Sequence, residues 1–395
     1  MKLLFLTHRL PYAPNRGDRI RAYHLLKALR CFSDVTLVSL VHDAEEASHV
    51  DALSDLVDEV HVVRVTPWRN KARALPALAT ARPLTHVLLD GAVLTDTVEA
   101  AARRPPSVVF AFCSGMARLA SLPALESVPL VHDMVDVDSA KWSTLAVAAR
   151  WPLSSIYARE ARTLRRFEQE VTRRARHTLV VNARERDLLL SIAPGSRVSA
   201  LANGVDAASF QPPGPPGDAP QIVFTGVFDY GPNETAALWL MSDVWPRVVA
   251  ARPDARLALV GANPSSAVRR KATSSSAVIV TGAVPDVRPY LWTAALAVAP
   301  IFMSHGVQNK VLEAVAAGLP VVTTTPVLEG LPSALVPACS VADTAETFAR
   351  EILRLLDLAP AERRTLAARA DVRGLEWDST LSGLQAIVSE AAKGG

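Results

Sequence analysis

Short apolar runs alternate with amphipathic stretches along most of this chain, and the alternation predicts its elements. Residues 3–6 (LLFL) form an uninterrupted apolar run of the kind carried by a strand buried on both faces. A loop at 7–18 holds Pro11, Pro14, Asn15, Arg16 and Gly17. After it, the spacing of Ile20, Tyr23, Leu26 and Leu29 predicts an amphipathic helix over 19–29. Strands are expected at 35–41, 59–65, 108–112 and 130–134, with a helix at 44–56; residues 67–106 follow neither period. A long basic helix is expected over 156–176, with Ile156, Leu164, Phe167 and Val171 on one stripe, then a strand at 177–181 and a helix ending at Ile192. Repeated βα units of this kind predict a parallel sheet covered on both faces.

At 211–220 the pattern breaks into QPPGPPGDAP, too rich in Pro and Gly to hold a helix or a central strand. The α/β pattern then restarts: a strand at 222–225 followed by Gly226, a helix at 234–249, a strand at 256–260 ending in Gly261, and another at 278–281 ending in Gly282. The stretch AVAPIFMSHGVQNKVLEAVAAGLPVVTTT, residues 297–325, reads as a buried strand over 296–300 and a loop with Ser304, His305 and Gly306. A helix over 307–317, Gly318 at its end and a second apolar strand from Pro320 complete it. Helices at 345–356, 360–370 and 381–391 close the chain. At 395 residues it is too long for one ordinary core. The break divides it into a first domain over 1–205, a linker over 206–220 and a second domain over 221–376, followed by the terminal segment 377–395.

The candidate chemistry gathers where strands end. Three strands ending in Gly226, Gly261 and Gly282 let backbone come close to a ligand. Lys310 stands in the first turn of a helix that follows a strand, a position that disfavours a cation unless an anion is near. Lysine is also the less expected cation here, with 7 Lys against 35 Arg. Lys310 is therefore a candidate phosphate ligand, with Glu313 one turn on; an ordinary solvated helix face is the plain alternative. In the first half, His132, Asp133, Asp136 and Asp138 cluster at a strand end. Asp136 and Asp138 could hold a divalent metal with a nucleotide diphosphate. Alternatively, His132 is a hydrogen-bonding group on a site floor and the aspartates cap a helix or hold arginines.

With 42 basic and 39 acidic residues the net charge is +3, which gives no bulk electrostatic case for nucleic acid. Cys31, Cys113 and Cys339 are far apart in apolar surroundings and read as reduced core residues without metal spacing. The start MKLLFLTHRLP is too short for a signal-peptide apolar region, and no run approaches 18 apolar residues. A soluble, cytoplasmic protein is expected, with contact at the inner face of the cytoplasmic membrane left open.

Asn203-Gly204-Val205-Asp206 with Phe210 and Pro212, the Gly226 loop, Val260-Gly261, Thr281-Gly282 and Lys310-x-x-Glu313-Ala314-x-Ala316-x-Gly318-x-Pro320-Val321-Val322 resemble the retaining glycosyltransferases of family 4, which have the GT-B fold. More narrowly, FTGVFDYGPN, VGANPS, VTGAVPDVRPYL, GVQNKVLEA and HDMVDVDSAKW resemble sugar transferases associated with the exosortase (PEP-CTERM) exopolysaccharide systems of bacteria. The resemblance implies an α/β chain of two Rossmann-like domains facing across a cleft, with the terminal helix from about Trp377 returning to the first domain. It implies transfer of a sugar from a nucleoside diphosphate sugar to a glycan or lipid-linked acceptor; no cofactor is expected, and no metal is needed if Lys310 and the start of its helix carry the diphosphate charge. By motif, Glu313 would bind the ribose hydroxyls, Gly17 would approach the donor phosphates, and His132 would face the donor sugar. Gly282, Val284 and Asp286 would border the base. Gly226, Asn233, Gly261, His305, Gly306, Val307, Gln308, Asn309 and Lys310 would complete the donor site. Asn15, Arg16, Asp133 and Asp136 would lie on the acceptor side.

Two features depart from the family pattern. Where many members have the first of two glutamates, this chain has His305; and no basic residue occurs over 228–234, where many have Arg and Lys. Lys310, with His305, is the expected substitute for that charge. Three rival readings remain. A nicotinamide-dependent oxidoreductase lacks its G-x-G-x-x-G here. A metal-dependent transferase would be built on Asp136 and Asp138. A non-catalytic scaffold of the same fold would bind no sugar nucleotide.

Overall fold

The apolar run at the amino terminus becomes β1 (Lys2–Thr7), buried from Leu3 onward. It is an interior strand of a seven-stranded sheet. The computed structural model describes residues 1–14, 16–214, 219–304 and 306–393; Asn15 and His305 therefore lie outside the described residues. The chain divides into two units, Met1–Ala202 with Leu381–Gly395, and Asn203–Thr380.

In the first unit β1 is joined by β2 (Asp34–Val41), β3 (Glu59–Arg64), β4 (Val108–Phe112), β5 (Leu130–Val135), β6 (His177–Val180) and β7 (Val198–Ala200). All pair in parallel, in the order β3-β2-β1-β4-β5-β6-β7. Parallel pairing forces crossover connections, and four of the helices matter below: α1 (Gly17–Arg30), α2 (Pro67–Ala77), α3 (Asp138–Ala148) and α4 (Leu153–Arg174). The region without a readable period, 67–106, forms three helices, α2, Leu84–Leu88 and Leu94–Ala102. The reason is plain in α2, which buries only Asn70 and Ala77 and so leaves no apolar stripe toward the core. The helix expected over 44–56 is two short pieces, Ala44–Ser48 and a 3-10 turn Val50–Leu53, the first capped by Asp43. The basic helix runs Leu153–Arg174, and its buried side includes Glu160 and Glu168. Glu160 accepts from the backbone N–H groups of Leu84 (2.7 Å) and Thr85 (2.8 Å), so a carboxylate caps a neighbouring helix instead of facing water.

The second unit repeats the layout with β8 (Gln221–Thr225), β9 (Arg256–Val260), β10 (Val278–Val280), β11 (Leu296–Ala299), β12 (Val321–Thr323) and β13 (Cys339–Val341), all parallel. Their order is β10-β9-β8-β11-β12-β13. Of its helices, α5 (Gly231–Trp239) and α6 (Asn309–Ala316) follow β8 and β11. Gly318, at φ +78°, ends the α6 segment as a residue without Cβ can. The unit begins and ends against itself: Val205 N–H donates to Leu375 O (2.8 Å), and a Cβ on Gly204 would fall 2.6 Å from the Trp377 backbone. From Leu381 the chain belongs to the first unit again, where α7 (Leu384–Lys393) buries Leu384, Val388 and Ala391 and packs against α1, β4 and β5. Those three positions are spaced i, i+4, i+7, one face of a helix.

The cysteines correct one expectation. Cys31 is exposed beyond the end of α1, while Cys113 and Cys339 are half-buried. Among the described residues no helix is long and apolar enough to cross a membrane.

Candidate functional site at the strand-order reversal of the second unit

Reading the second sheet from β8, the chain first adds β9 and β10 on one side and then β11, β12 and β13 on the other. The reversal falls between β8 and β11, where two connections leave in opposite directions and open a crevice at the carboxyl ends of the strands. Gly226 follows β8 there, and α6 follows β11.

The glycines at these strand ends are close to one another and to Lys310. Gly226 N–H donates to Val260 O (3.0 Å). A Cβ on Gly261, at φ +141°, would collide with Gly226 O, so no larger residue fits. Gly261 N–H donates to Thr281 Oγ1 (3.2 Å), whose hydroxyl donates in turn to Gly282 O (2.7 Å). A Cβ on Gly226 would sit 3.3 Å from Lys310 Nζ and 3.0 Å from Asn233 Nδ2.

Lys310 lies in the first turn of α6 and points back over β8. Its ammonium donates to Asn233 Oδ1 (2.7 Å) and stands 4.8 Å from the centroid of the Phe224 ring. Asn233, in the first turn of α5, is oriented by its own donation to Val227 O (2.9 Å). Burial pushes the Lys310 ammonium down to about 7, against the opposing influence of Glu313. Glu313 is pushed up to about 7 by burial, against the influence of Lys310. Both side chains keep some exposed surface, so water reaches part of the pair. The result is an ammonium held by Asn233 and lacking a full counter-charge, beside a helix start whose cap residue Gln308 makes no side-chain cap hydrogen bond.

The other donor-side positions are engaged as follows. Gln308 Nε2 donates to Ser304 Oγ (3.1 Å), and Asn309 Oδ1 accepts from Asn203 Nδ2 (2.8 Å), tying the start of the unit to α6. Asn309 Nδ2 is buried without a hydrogen-bond partner among the described residues. Gly306 is in the left-handed region at φ +68°, and Val307 and Val284 pack against the core. Asp286 is bonded by Arg288 through the backbone and the guanidinium (2.8–2.9 Å), and those hydrogen bonds hold its carboxyl below the usual range.

The first-unit candidates are placed differently. Asp133 is wholly buried and pairs with Arg21, whose Nε lies 3.0 Å and whose terminal nitrogen 2.9 Å from one carboxylate oxygen. Burial raises the Asp133 pKa, against the opposing influence of Arg21. His132 is wholly buried on the same side of β5 as Leu130 and Met134, which belong to the core. Neither of its ring nitrogens has a hydrogen-bond partner among the described residues. Burial lowers it to about 4, the nearby Cys113 backbone resisting only in part, so it is neutral at pH 7. Asp136 is pushed up to about 7 by burial and then by Glu185 and Asp138, and one of its oxygens is buried without a partner among the described residues. Asp138 accepts from the Ser114 hydroxyl (2.9 Å). Gly17 opens α1 and Arg16 is its cap residue, with Nε 3.2 Å from Asp18.

One grouping was not read from the sequence. The first sheet also reverses, between β1 and β4, and at that point His8 follows β1 and Cys113 follows β4. The His8 ring stacks on Phe112 (5.6 Å between centroids), and its Nε2 lies 3.5 Å from Asp18. Burial, the largest single influence, lowers the His8 pKa, but Cys113 and Asp18 together outweigh it and push the ring up to about 10. His8 thus lies half-buried beside Asp18 and Cys113 at the first unit's own strand-order reversal.

Comparison with known proteins fits this geometry. Residues 219–358 match the family model described as Glycosyl transferases group 1. Among solved structures, sucrose-phosphate synthase from Thermosynechococcus elongatus is 17% identical with a TM-score of 0.75, over 100% of both chains. HepE from Anabaena, solved with UDP and glucose, is 14% identical with a TM-score of 0.70, over 99% of this chain and 100% of that one. Trehalose 6-phosphate synthase from Burkholderia multivorans is 13% identical with a TM-score of 0.66, over 100% and 99%. No curated protein matches. The chain has the GT-B fold, and its Lys310 site lies inside the segment that matches the group 1 glycosyltransferases.

Proposed function

We propose that this protein transfers a sugar from a nucleoside diphosphate sugar to a hydroxyl of a glycan or lipid-linked acceptor, with retention at the anomeric carbon and without a metal ion. Bacterial exopolysaccharide or cell-surface polysaccharide synthesis, of the kind associated with PEP-CTERM systems, is the setting that the sequence resemblance favours. One observation carries the reading: a lysine ammonium, held by Asn233 over Phe224, stands at the strand-order reversal against Gly226, whose missing side chain leaves room for it.

In this reading the departing diphosphate lies against the start of α6. Its growing negative charge is met by the Lys310 ammonium and by backbone N–H groups that are already in place, so little reorganisation accompanies bond breaking. A free-enzyme pKa near 7 suits the role: the diphosphate restores the counter-charge that Lys310 lacks and draws a proton onto it. Glu313, one turn further, accepts from the ribose hydroxyls. The acceptor-side residues are assigned to the first unit, and no side chain is assigned as a covalent nucleophile.

The test is calorimetric titration of the intact protein with UDP-glucose as probe, with and without EDTA. Binding that survives EDTA and is lost in Lys310→Ala supports the reading. Binding that needs a divalent metal, or that is equal in wild type and Lys310→Ala, rejects it.

A further inference from the structure

The first unit carries a helix whose apolar face is turned outward. In α2 the residues facing the protein are Asn70 and Ala77, and Asn70 is fixed there by donating to Leu88 O (3.0 Å) and Asp90 O (2.8 Å). Trp68, Ala72 and Leu75, spaced i, i+4, i+7, form the opposite stripe, with Trp68 68% and Leu75 70% exposed. An amphipathic helix covering a sheet would be oriented the other way round.

A second exposed apolar group spans the end of α3, the turn after it and the start of α4, where Val147 is 90% exposed, Trp151 82% and Leu153 49%. The two groups are physically linked. Arg159, in the second turn of α4, donates to the carbonyls of Ala77 (2.7 Å), Leu78 (2.9 Å), Thr80 (2.6 Å) and Arg82 (2.8 Å), which clamps the end of α2 to α4. Leu75 is one turn before that clamp on α2, and Leu153 is fewer than two turns before it on α4.

Charge identifies what would cover this face. Neither residues 66–89 nor residues 139–159 contain any Asp or Glu, although the chain has 39 of them in 395 residues. The same two segments carry Arg69, Lys71, Arg73, Arg82, Lys141, Arg150 and Arg159. Arg73 and Arg82 are drawn toward the buried Asp90 (3.4 and 3.6 Å), while Arg69, Lys71 and Arg150 are exposed beside the apolar residues, and Arg69 lies over the Trp68 ring. Exposed tryptophans flanked by cations and free of acidic residues are suited to a headgroup layer, where the indole sits at the interface and the cations meet phosphate. A protein partner of ordinary mixed charge would not call for two acid-free segments side by side.

We propose that α2 and the α3–α4 turn form a surface that docks on an anionic bilayer. This stands independently of the proposed glycosyl transfer: it rests on exposure and charge in the first unit alone.

The experiment is co-sedimentation of the full chain with vesicles of phosphatidylcholine alone and with phosphatidylglycerol added, at low and high salt. Wild type is expected on the anionic vesicles only, and to leave them as salt rises. Trp68→Ala/Trp151→Ala is expected to weaken binding on the order of tenfold or more. Arg69→Glu and Lys71→Glu should each cost about fivefold or more, the loss for one interfacial cation. All these residues are exposed, so unchanged thermal unfolding and unchanged UDP-glucose binding are expected and verify folding. Equal binding to neutral and anionic vesicles, no binding to either, or anionic binding that the four substitutions leave intact overturns the proposal. So does a self-associated species in sedimentation velocity that Trp68→Ala/Trp151→Ala abolishes while vesicle binding is absent, since a second copy would then be the occupant.

Discussion

Lys310 has its character decided by three neighbours: an amide oxygen that accepts from it, an aromatic face below it and a carboxyl one turn away. Removing it in Lys310→Ala is expected to weaken nucleotide-sugar binding by about 10- to 100-fold, the range for losing a charged hydrogen-bonding partner at about 1.5–3 kcal/mol. Lys310→Arg should not restore it, because the planar guanidinium is larger than the space between Gly226 and Asn233. The same residue sets a pH dependence whose sign follows from linkage. Below about pH 7 Lys310 is protonated before and after the diphosphate binds, and affinity is level. Above it, binding must take up a proton, so the dissociation constant for UDP-glucose should rise about tenfold per pH unit. Glu313 titrates in the same range, so the midpoint belongs to the pair. Titration calorimetry from pH 6 to 9 checks this: the slope should vanish in Lys310→Ala and persist in Glu313→Gln.

At the level of elements, the strand ends and one buried ion pair are where single substitutions should cost most. Gly261→Ala places a methyl group against Gly226 O at a φ that L-residues avoid, and is expected to destabilise the second unit by roughly 3 kcal/mol or more, measured by denaturant titration. Arg21→Met leaves Asp133 buried without its counter-charge and should cost about 3–5 kcal/mol. The double variant Arg21→Met/Asp133→Leu should cost less than the two single changes summed, and a double-mutant cycle measures the difference.

The elements also show what the sequence could and could not tell. Strands buried on both faces, such as β1 and β4, are uninterrupted apolar runs and were readable directly. β13, three residues with only partial burial, carries no such signal, and α2 has its apolar stripe on the wrong side for a core helix. The glycines at 226, 261 and 282 and Lys310 were visible as residues after strands, because that grammar is local. The His8, Asp18 and Cys113 grouping was not, because it depends on β4 lying next to β1, a sheet order that no local pattern encodes. His132 read as a site residue because it ends an apolar run among aspartates, yet its side of the strand faces the core, a matter of parity that the sequence leaves undecided.

For the whole molecule, the two units have separate cores but not separate stretches of chain. Truncation after Thr380 removes Leu384, Val388 and Ala391 from the first unit and leaves the whole chain of the second, 203–380, in place. Scanning calorimetry of that variant is expected to show a first-unit transition at lower temperature. The stabilisation by UDP-glucose should be retained, roughly 2.7 kcal/mol at a hundred times the dissociation constant. Loss of the ligand-induced shift would mean that the nucleotide site is not held within 203–380.

The returning helix α7 also sets an order of events during synthesis. Of the two units the first begins earlier in the chain, yet one of its faces stays uncovered until residues 384–393 clear the ribosome, by which point the second unit, 203–380, already has all its chain. Of the two units, the one that begins first is therefore completed second, and a nascent chain stalled before α7 emerges would expose the sides of α1, β4 and β5 to chaperones.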